Sequence, residues 1–280
     1  MRRDADAVMG CLLGGAIGDA IGGVAERGRL SLSDDTQFTL ATCESIVEAG
    51  RCEPAAVADA FLRWFRARRF TGLGSSTFKA LRDLDAGAHW ALSGAAGEMA
   101  AGNGGAMRAA PLAFLSVDRV VVRDVIRITH RNDEAYLGAL AVILAMQVEG
   151  PRSLGALLDE VVAGLPDSRV RDQLISTPRL VAGGSLAAVA ERVGSSGWVV
   201  ESVPLALVAA WHMVASGFEA TLDELVRIGG DTDTIASIAG QIAGAGLGLS
   251  RLPSSLVALV PERELVEEIG GRFASIVWAA

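Results

Sequence analysis

The sequence contains few cysteines, no proline-rich linker and no long apolar run. Its three cysteines, Cys11, Cys43 and Cys52, lack metal-ligand spacing and cannot all pair, so we expect a reducing, cytoplasmic setting. The apolar stretches 137–148 and 235–249 are shorter than the roughly 20 residues that cross a bilayer. Aspartates interrupt the apolar N-terminal stretch and no cleavage pattern follows it, so we expect no signal peptide and no membrane contact. We therefore expect a monomer with a single domain over residues 1–280.

Positive charge is also scarce, because 25 lysines and arginines face 33 aspartates and glutamates, for a net charge of −8. This balance argues against a protein that binds nucleic acid mainly through phosphate contacts. A local basic run at Arg63, Arg66, Arg68 and Arg69 is better explained as a solvated helix end. With 51% hydrophobic and 21% charged residues, the chain can bury a large core.

Nearly every periodic segment predicts a helix. Apolar residues recur at helical spacing between Val8 and Ile21. Segment 117–128 contains three consecutive valines, but its apolar and arginine stripes both have helical spacing, so we interpret it as helix rather than strand. We expect a compact, all-α, orthogonal helical bundle. Further helices are predicted at 36–49, 54–68, 75–85, 134–149, 153–163, 170–191, 202–215, 221–227, 234–248 and 262–276.

Two rows of glycine occur at every fourth position, one in the first predicted helix and one in a late helix. The first row is Gly10, Gly14, Gly18 and Gly22, and the second is Gly240, Gly244 and Gly248. Glycine weakens a helix, so such rows indicate close approach of another backbone. We expect these two helices to touch, with flexible helix termini as the alternative explanation.

Two acidic clusters share one composition, Ser33-Asp34-Asp35-Thr36 and Asp231-Thr232-Asp233-Thr234. Carboxylate and hydroxyl oxygens are ligands for hard divalent cations such as Mg²⁺. If the fold brings the clusters together, their carboxylates need counter-ions, because close like charges are unfavourable. The alternative is helix capping, and Asp34 with Gln37 fits a capping box. A helix cap needs only one such side chain, whereas each cluster has two aspartates. The second aspartate of each cluster favours a site for two metals.

Other segments also carry chemistry. The stretch 102–108 joins a glycine loop to a predicted helix start with Arg108 nearby, which suits a phosphate, although a plain connection is the default. Thr129-His130 ends an apolar helix, where His130 could complement the helix dipole as a cation or bond a sugar hydroxyl. The segment 71–77 is flexible and rich in hydroxyls, and Asp19 and Glu26 place acids around the end of the first helix.

Six motifs in this order resemble the ADP-ribosylglycohydrolase family. They extend over much of the chain, and the glycine-asparagine motif and the last motif are specific. The motifs are Gly18-Asp19-Ala20-Ile21-Gly22 with Glu26, the segment from Ser33 to Gln37, the segment from Gly72 to Thr77, the segment from Gly102 to Arg108, Thr129-His130, and the segment from Gly229 to Ala236.

The resemblance implies an all-α fold with a dinuclear Mg²⁺ or Mn²⁺ centre that hydrolyses an N- or O-glycosidic bond of ADP-ribose. Glu26 would be a catalytic or gating acid, and Asp35 could assist in proton transfer. Substrate would be bound by Asn103, Gly104, Gly105, Met107 and His130. The metal ligands would be Ser33, Asp34, Asp35, Asp231, Asp233 and Thr234, with Asp233 bridging.

The sequence departs from the family pattern at two positions. Ser33 stands where threonine is usual, and it keeps the hydroxyl oxygen with a less restrained rotamer. Gly72 stands where some members carry an acid, so a mechanism that uses that acid as a proton shuttle is in doubt for this chain. Other members have glycine there and remain hydrolases.

We expect hydrolysis of ADP-ribosyl-arginine on a modified protein. Serine-linked ADP-ribose, O-acetyl-ADP-ribose and ADP-ribosylated nucleobases are alternatives within the same class of enzyme. A catalytically silent ADP-ribose-binding protein is an alternative from another class, but such a protein has no need of four buried carboxylates. A dimetal phosphoesterase suits four aspartates chemically but is not what the ordered motifs resemble. The sequence does not locate the adenine pocket, because Tyr136, Trp211 and Phe218 could equally be core residues.

Overall fold

The computed structural model describes residues 3–148, 153–181 and 185–279, and nearly all of its regular structure is helical. The α-helices, α1 to α17, are Ala5–Gly22, Val24–Arg27, Asp34–Ala49, Pro54–Arg66, Ser75–Asp85, Trp90–Ser93, Ala110–Ala113, Arg119–Arg127, Asp133–Gln147, Leu154–Gly164, Arg169–Val181, Leu186–Val193, Val199–Ala215, Phe218–Ile228, Thr232–Leu247, Ser254–Val257 and Arg263–Ala279. Three 3₁₀ helices are Glu98–Ala100, Asn103–Arg108 and Leu249–Arg251. The all-α prediction is confirmed, whereas the single-domain expectation stays a prediction.

Two short strands, β1 (Ala95–Ala96) and β2 (His130–Arg131), form a parallel pair in which Ala95 lies opposite His130. Ala95 N donates to the carbonyl of Thr129. The pair was not predicted, since two residues are too short for a periodic signal. Its effect is to fix the backbone on both sides of His130.

Helices α1 and α15 pack together along their glycine rows. A Cβ atom added at Gly14 would overlap the carbonyl of Gly240, and one added at Gly10 would overlap the carbonyl of Gly244. The pairing continues to Gly22, where a Cβ would lie 2.7 Å from the carbonyl oxygen of Thr232. Gly10 pairs with Gly244 and Gly22 with Thr232, so the helices run antiparallel. The predicted contact is confirmed, and it brings the end of α1 beside the start of α15.

Helix α1 is long and apolar enough to cross a membrane, with a mean hydropathy of 1.3 over 18 residues. However, 78% of that window is buried inside the protein. Its apolar side chains, among them Leu13 and Ile17, belong to the hydrophobic core. The burial explains the composition: α1 is surrounded by protein, so it needs no polar face.

The predicted helix 170–191 corresponds to two helices, α11 and α12, and residues 182–184 between them lie outside the described part of the chain. Helix α12 has its own start, because Ser185 Oγ accepts from the N–H of Ala188. The glycine pair 183–184 directly before Ser185 was the sequence signal for this separate start, and the prediction of one helix over 170–191 is wrong there. Residue 149, the end of another predicted helix, is also outside the described residues. Segment 117–128 is helical as α8, capped by Asp118.

Candidate functional site

The two acidic clusters meet at the starts of α3 and α15. Thr234 Oγ1 lies 3.3 Å from Asp35 Oδ2, which joins residues 199 positions apart in the chain. Asp34 and Asp35 occupy the first turn of α3, and Asp233 the first turn of α15. The expected convergence is confirmed. It follows from the α1–α15 glycine contact, which brings the start of α15 against the segment that leads into α3.

The clusters open into a cavity of about 400 Å³, a volume within the usual range of small-molecule sites. We call one side the acidic wall, which comprises Asp34, Asp35, Asp231 and Asp233. We call another part of the lining the histidine wall, which comprises Asn103, Gly104, Met107 and His130. Glu26 and Thr234 also line the cavity, whereas Ser33 lies buried beneath it and Gly105 faces the core, where a Cβ would overlap Ile126.

Burial and mutual repulsion set the protonation of the acidic wall. Burial raises the pKa of Asp35 well above its usual value, and Asp233, Asp19, Asp34 and Asp231 raise it further. The pKa of Asp34 is also raised well above its usual value by burial and then by Asp19 and Asp233. Burial raises the pKa of Asp231 to about 6, against a hydrogen bond from Asn103 that lowers it. The wall therefore needs positive charge to be fully ionised.

Asp19, to which the sequence analysis gave no site role, lies at the base of this wall and is fully buried. Its carboxylate accepts from the backbone N–H of Ser33 at 2.9 Å and from Thr36 Oγ1 at 2.6 Å, and Ser33 Oγ lies 2.8 Å away. These bonds tie the end of α1 to the start of α3. A single carboxylate in a helix of apolar residues and glycine was the signal that pointed to a buried polar role.

Three carboxylates could together hold a metal ion, because one oxygen each of Asp19, Asp35 and Asp233 lie within 4.8 Å of one another. Asp35 Oδ1 is buried with no hydrogen-bond partner, which is unfavourable unless a cation satisfies it. Both oxygens of Asp19 already accept hydrogen bonds. Asp19 also does not line the cavity, so we regard it as a support for the cluster and Asp34, Asp35, Asp231 and Asp233, which do line it, as the oxygen donors.

Arg27 reaches into the same cluster and was not foreseen from the sequence. Its Nη1 donates to Asp233 Oδ2 at 2.9 Å, and its Nη2 to Asp19 Oδ1 at 3.1 Å. Arg27 ends the four-residue helix α2, directly after Glu26. Glu26 itself is exposed at the edge of the cavity, so its carboxylate stays accessible to a proton donor or acceptor.

Capping accounts for one residue of the first cluster and for none of the aspartates. Ser33, rather than Asp34, caps α3, and its Oγ accepts from the N–H of Asp35. Gln37 Oε1, the oxygen that a capping box would use, accepts from the N–H of Thr71 at 2.8 Å, and Gln37 Nε2 donates to Thr71 Oγ1 at 2.9 Å. The capping-box interpretation of Asp34 with Gln37 is therefore wrong. Asp231 is at the N-cap position of α15 but makes no side-chain capping bond.

The glycine loop of the histidine wall forms the 3₁₀ helix Asn103–Arg108. Asn103 joins the two walls, since its Nδ2 donates to Asp231 Oδ2 at 2.6 Å. Gly104 packs directly on His130, where a Cβ would lie 2.7 Å from Cε1. Met107 contributes its carbonyl, which accepts from Gln241 Nε2 at 2.7 Å. A side chain at Gly104 has no room, because His130 and Thr77 occupy the space that its Cβ atom would need.

Arg108 points away from the cavity, so it cannot assist a phosphate as its position in the loop suggested. The residue is 1% exposed, and its guanidinium lies 4.9 Å from the centre of the Phe61 ring. Burial lowers the pKa of Arg108 to about 9. Its Nη2 donates to Thr129 Oγ1 at 2.7 Å, and Thr129 Oγ1 lies 2.9 Å from His130 Nδ1.

This chain of bonds determines which nitrogen of His130 carries a proton. Thr129 Oγ1 accepts from Arg108, so its own hydrogen is free to bond His130 Nδ1. Burial, and then Arg108, lower the pKa of His130 to about 3. The ring is therefore neutral, with its proton on Nε2 at the side of Gly102 and Gly104. The alternative of a cationic His130 that complements a helix dipole is wrong.

Several cavity residues were not among the predicted site residues. The hydroxyl-rich loop provides Ser75, Ser76 and Thr77, and Met99 lies at the mouth with 96% of its surface exposed. Gly72 has a φ of +77°, and a Cβ there would lie 3.6 Å from Asp34 Oδ1. An acid at this position would thus lie beside Asp34. Tyr136, Trp211 and Phe218 do not line the cavity.

Comparison with known proteins agrees with this geometry. The model of the ADP-ribosylglycohydrolase family matches residues 1–279. A solved structure described as an ADP-ribosylglycohydrolase-related protein complex superposes with a TM-score of 0.72 and 25% identity, covering 99% of this chain and 100% of the other.

Two curated relatives have named activities. The ADP-ribosylarginine hydrolase Tri1 of Pseudomonas putida is 29% identical over 94% of this chain and 76% of its own length. The ADP-ribosyl-[dinitrogen reductase] glycohydrolase of Rhodospirillum rubrum is 25% identical over 96% of both chains. Since the family model spans nearly the whole sequence, the chain belongs to the ADP-ribosylglycohydrolase family and is a glycosidase-type hydrolase.

Proposed function

We propose that this protein hydrolyses the N-glycosidic bond between ADP-ribose and an arginine of a modified protein, with two divalent ions held by the acidic wall. The linkage is supported by the named activity of the Pseudomonas putida relative. The observation that carries the proposal is the convergence of the acidic and histidine walls on one cavity, with Asp35 Oδ1 left without a hydrogen-bond partner.

The donor set of the acidic wall fits hard divalent cations, because it consists of carboxylate and hydroxyl oxygens. Asp34, Asp35, Asp231, Asp233 and the hydroxyl of Thr234 would hold Mg²⁺ or Mn²⁺. Ser33 remains a proposed ligand, although in this structure its hydroxyl lies against Asp19 and Asp35. Bound divalent ions would polarise ribose hydroxyls and lower the pKa of water.

Proton transfer falls to a carboxylate with access to the cavity. Glu26 is exposed at the cavity edge, so it can exchange protons with solvent and with a bound substrate. Asp35 is only 1% exposed and is surrounded by other aspartates. We therefore assign the proton shuttle to Glu26, and we assign to Asp35 a supporting role and an oxygen for the cation.

The histidine wall would hold the ADP-ribose. The neutral His130 can donate from Nε2 to a ribose or phosphate oxygen, and the backbone at Gly104, which lines the cavity, would bind the diphosphate. Asn103 would position the sugar while its amide bonds Asp231. Gly105, whose Cβ position faces Ile126, would act through its backbone alone.

The linkage is tested by incubating the purified chain with ADP-ribose attached to arginine, serine, acetate or a nucleobase. Each substrate is measured with Mg²⁺, with Mn²⁺ and with a chelator. We expect release of ADP-ribose from arginine with either metal and none with the chelator. Faster release of ADP-ribose from another linkage would identify that linkage as the substrate instead of arginine. Full activity in the presence of the chelator would show that the reaction does not need a divalent metal.

A catalytically silent ADP-ribose-binding protein is separated from an enzyme by Glu26→Gln. Turnover should fall by about 10²–10⁴, the usual contribution of a positioned acid or base. ADP-ribose affinity and metal-induced stabilisation should persist, and Glu219→Gln, an exposed site on α14, is the control. Unchanged turnover would transfer the proton step to an aspartate of the acidic wall. A wild type that binds ADP-ribose but cleaves no linkage would be the silent binder.

Two further expectations remain part of this proposal. We propose that the enzyme acts as a monomer and in the cytoplasm, the latter because its three cysteines are unpaired. Burial raises the pKa of Cys52 to about 12, so its thiol is protonated and unreactive at neutral pH. Size-exclusion chromatography with light scattering would test the oligomeric state, and a dimer would contradict it.

A further inference from the structure

Arg27 is seated in the acidic cluster by contacts on both sides of its guanidinium. Nη1 donates to Asp233 Oδ2, and Nη2 donates to Asp19 Oδ1 and to the backbone carbonyls of Asp19 and Ser31. The planar group lies against Gly23, where any Cβ would overlap it. The pocket for this side chain is therefore built by glycine and by two carbonyls, and it is not an incidental surface contact.

Arg27 supplies positive charge where the site needs it. Among the ion pairs of the described residues, those that involve the clustered aspartates are the pairs of Arg27 with Asp19 and with Asp233. An arginine side chain stays protonated at any physiological pH. Its charge thus offsets part of the repulsion among the carboxylates without a bound ion.

The same contact occupies an oxygen that a divalent ion would use. Asp233 Oδ2 accepts from Arg27, and Asp233 Oδ1 accepts from the N–H of Thr234 at 2.9 Å. Asp35 Oδ1, by contrast, has no hydrogen-bond partner. A cation that takes oxygens from both residues and uses Asp233 Oδ2 must displace Arg27 Nη1 or share that oxygen with it, and one that uses Oδ1 still lies next to the arginine charge.

We propose that Arg27 is a resident counter-ion of the acidic cluster that competes with divalent ions for Asp233, and thereby lowers the affinity of the site for them. The proposal rests on the proposed metal dependence. Because coupling between two binding events is reciprocal, a bound ion weakens the Arg27–Asp233 pair by the same factor by which Arg27 weakens ion binding.

Release of Arg27 is compatible with its surroundings. Only Nη1 has to leave, since Nη2 can keep its bonds to the carbonyls of Asp19 and Ser31. Residues 24–26 of α2 are exposed, and Gly28 follows with a φ of +67°. Arg27 Nε is buried without a hydrogen-bond partner, so the guanidinium is not fully hydrogen-bonded in this position. Moving it therefore costs less free energy than moving a fully bonded group.

The test measures Mn²⁺ binding by isothermal titration calorimetry in the wild type, Arg27→Gln and Arg29→Gln. Arg29 is exposed two residues further on, so its substitution makes the same change in net charge outside the cluster. We expect Arg27→Gln to bind Mn²⁺ at least tenfold more tightly and, without metal, to melt at a lower temperature. Arg29→Gln should match the wild type in both measurements.

The contrary results are distinct. If Arg27→Gln binds Mn²⁺ no more tightly than Arg29→Gln, Arg27 does not compete and the inference fails while the metal site stands. If no chain binds Mn²⁺, the proposed metal dependence fails and this inference with it. If Arg27→Gln does not fold, Arg27→Lys replaces it in the test, because a single amine cannot bond Asp19 and Asp233 at once. Tighter Mn²⁺ binding than in the wild type would support competition. Equal or weaker binding would contradict it.

Discussion

The acidic wall and the histidine wall line one cavity, and they keep their polar groups in place by different means. Asp34 and Asp35 are buried among like charges, which raises their pKa values. His130 is also buried, and burial together with the charge of Arg108 keeps it neutral, while bonds through Thr129 to Arg108 hold its ring in place. The acidic wall thus needs cations to balance its charge, whereas the ring of His130 is held by bonds within the protein.

This difference separates the roles that the two walls can have. A wall that lacks counter-charge gains stability from any cation that binds the folded state. A wall whose side chains are already held by bonds within the protein is preorganised, so it binds a ligand with little rearrangement. Substitutions in the acidic wall should therefore change metal dependence and turnover together, and substitutions in the histidine wall should change ADP-ribose binding alone.

The largest effect is expected from Asp233→Ala, which removes an oxygen donor at the centre of the acidic wall. Turnover should fall below detection, and the rise in melting temperature with Mg²⁺ or Mn²⁺ should disappear. Asp34→Ala should behave in the same way, and Asp59→Ala, at an exposed position of α4, should not. Scanning fluorimetry measures the melting temperature, and an assay of ADP-ribose release measures turnover. An active Asp233→Ala protein would show that the acidic wall does not carry the chemistry.

The next effect is expected from Gly104→Val, which places a side chain against His130 Cε1. Affinity for ADP-ribose should fall at least tenfold, or about 1.4 kcal/mol, while the melting shift with metal persists. Gly271→Val, at a helical glycine with open space around it, is the matched control. Calorimetry with ADP-ribose gives the affinity. Equal affinity for ADP-ribose in the two variants would show that this loop does not bind the diphosphate.

A smaller effect is expected from Thr129→Val, which interrupts the bonds between Arg108 and His130. Loss of a partner for the buried guanidinium should destabilise the fold by about 1–3 kcal/mol, and His130 should lose its fixed tautomer. Nitrogen-15 NMR of labelled histidine reads the tautomer directly, and Thr42→Val, which removes a buried hydroxyl elsewhere, is the control. A proton that stays on Nε2 alone would contradict the assigned role of Thr129.

The smallest effect concerns pH. The pKa of Asp231 rises from 3.8 to about 6 on folding, so the folded state binds more protons in that range. The contribution of this residue to stability is therefore full below pH 3.8 and is lost as pH rises through about 6. His130 acts oppositely, because its pKa falls from 6.5 to about 3 and its contribution is lost on acidification.

Because the two contributions oppose each other, the difference between wild type and Asp231→Asn isolates the aspartate. Urea unfolding in a chelator at several pH values between 4 and 7 measures it. We expect the stability of Asp231→Asn relative to wild type to increase as pH rises through that range. A difference that is constant with pH would mean that Asp231 does not change its protonation on folding.

Much of the helical structure could be predicted because apolar spacing repeats within each helix. The contact of α1 with α15 was predictable from the rows that include Gly14 and Gly240, since only close backbone approach explains such rows in helices. The two-residue pairing of Ala95 with His130 was not predictable, because it is too short to alter a periodic pattern. The separate start of α12 at Ser185 could have been predicted from the two glycines before it.

The sequence by itself determined the composition of the site: aspartates that can hold cations, a glycine loop without side chains and one histidine beside a threonine. Only the tertiary structure decided their relations, because charge and burial depend on neighbours that are remote in the chain. Arg27 meets Asp233 from 206 positions away, and Arg108, which the sequence offered to a phosphate, instead lies in the core and holds Thr129. No local pattern encodes such contacts, since they follow from how the helices pack.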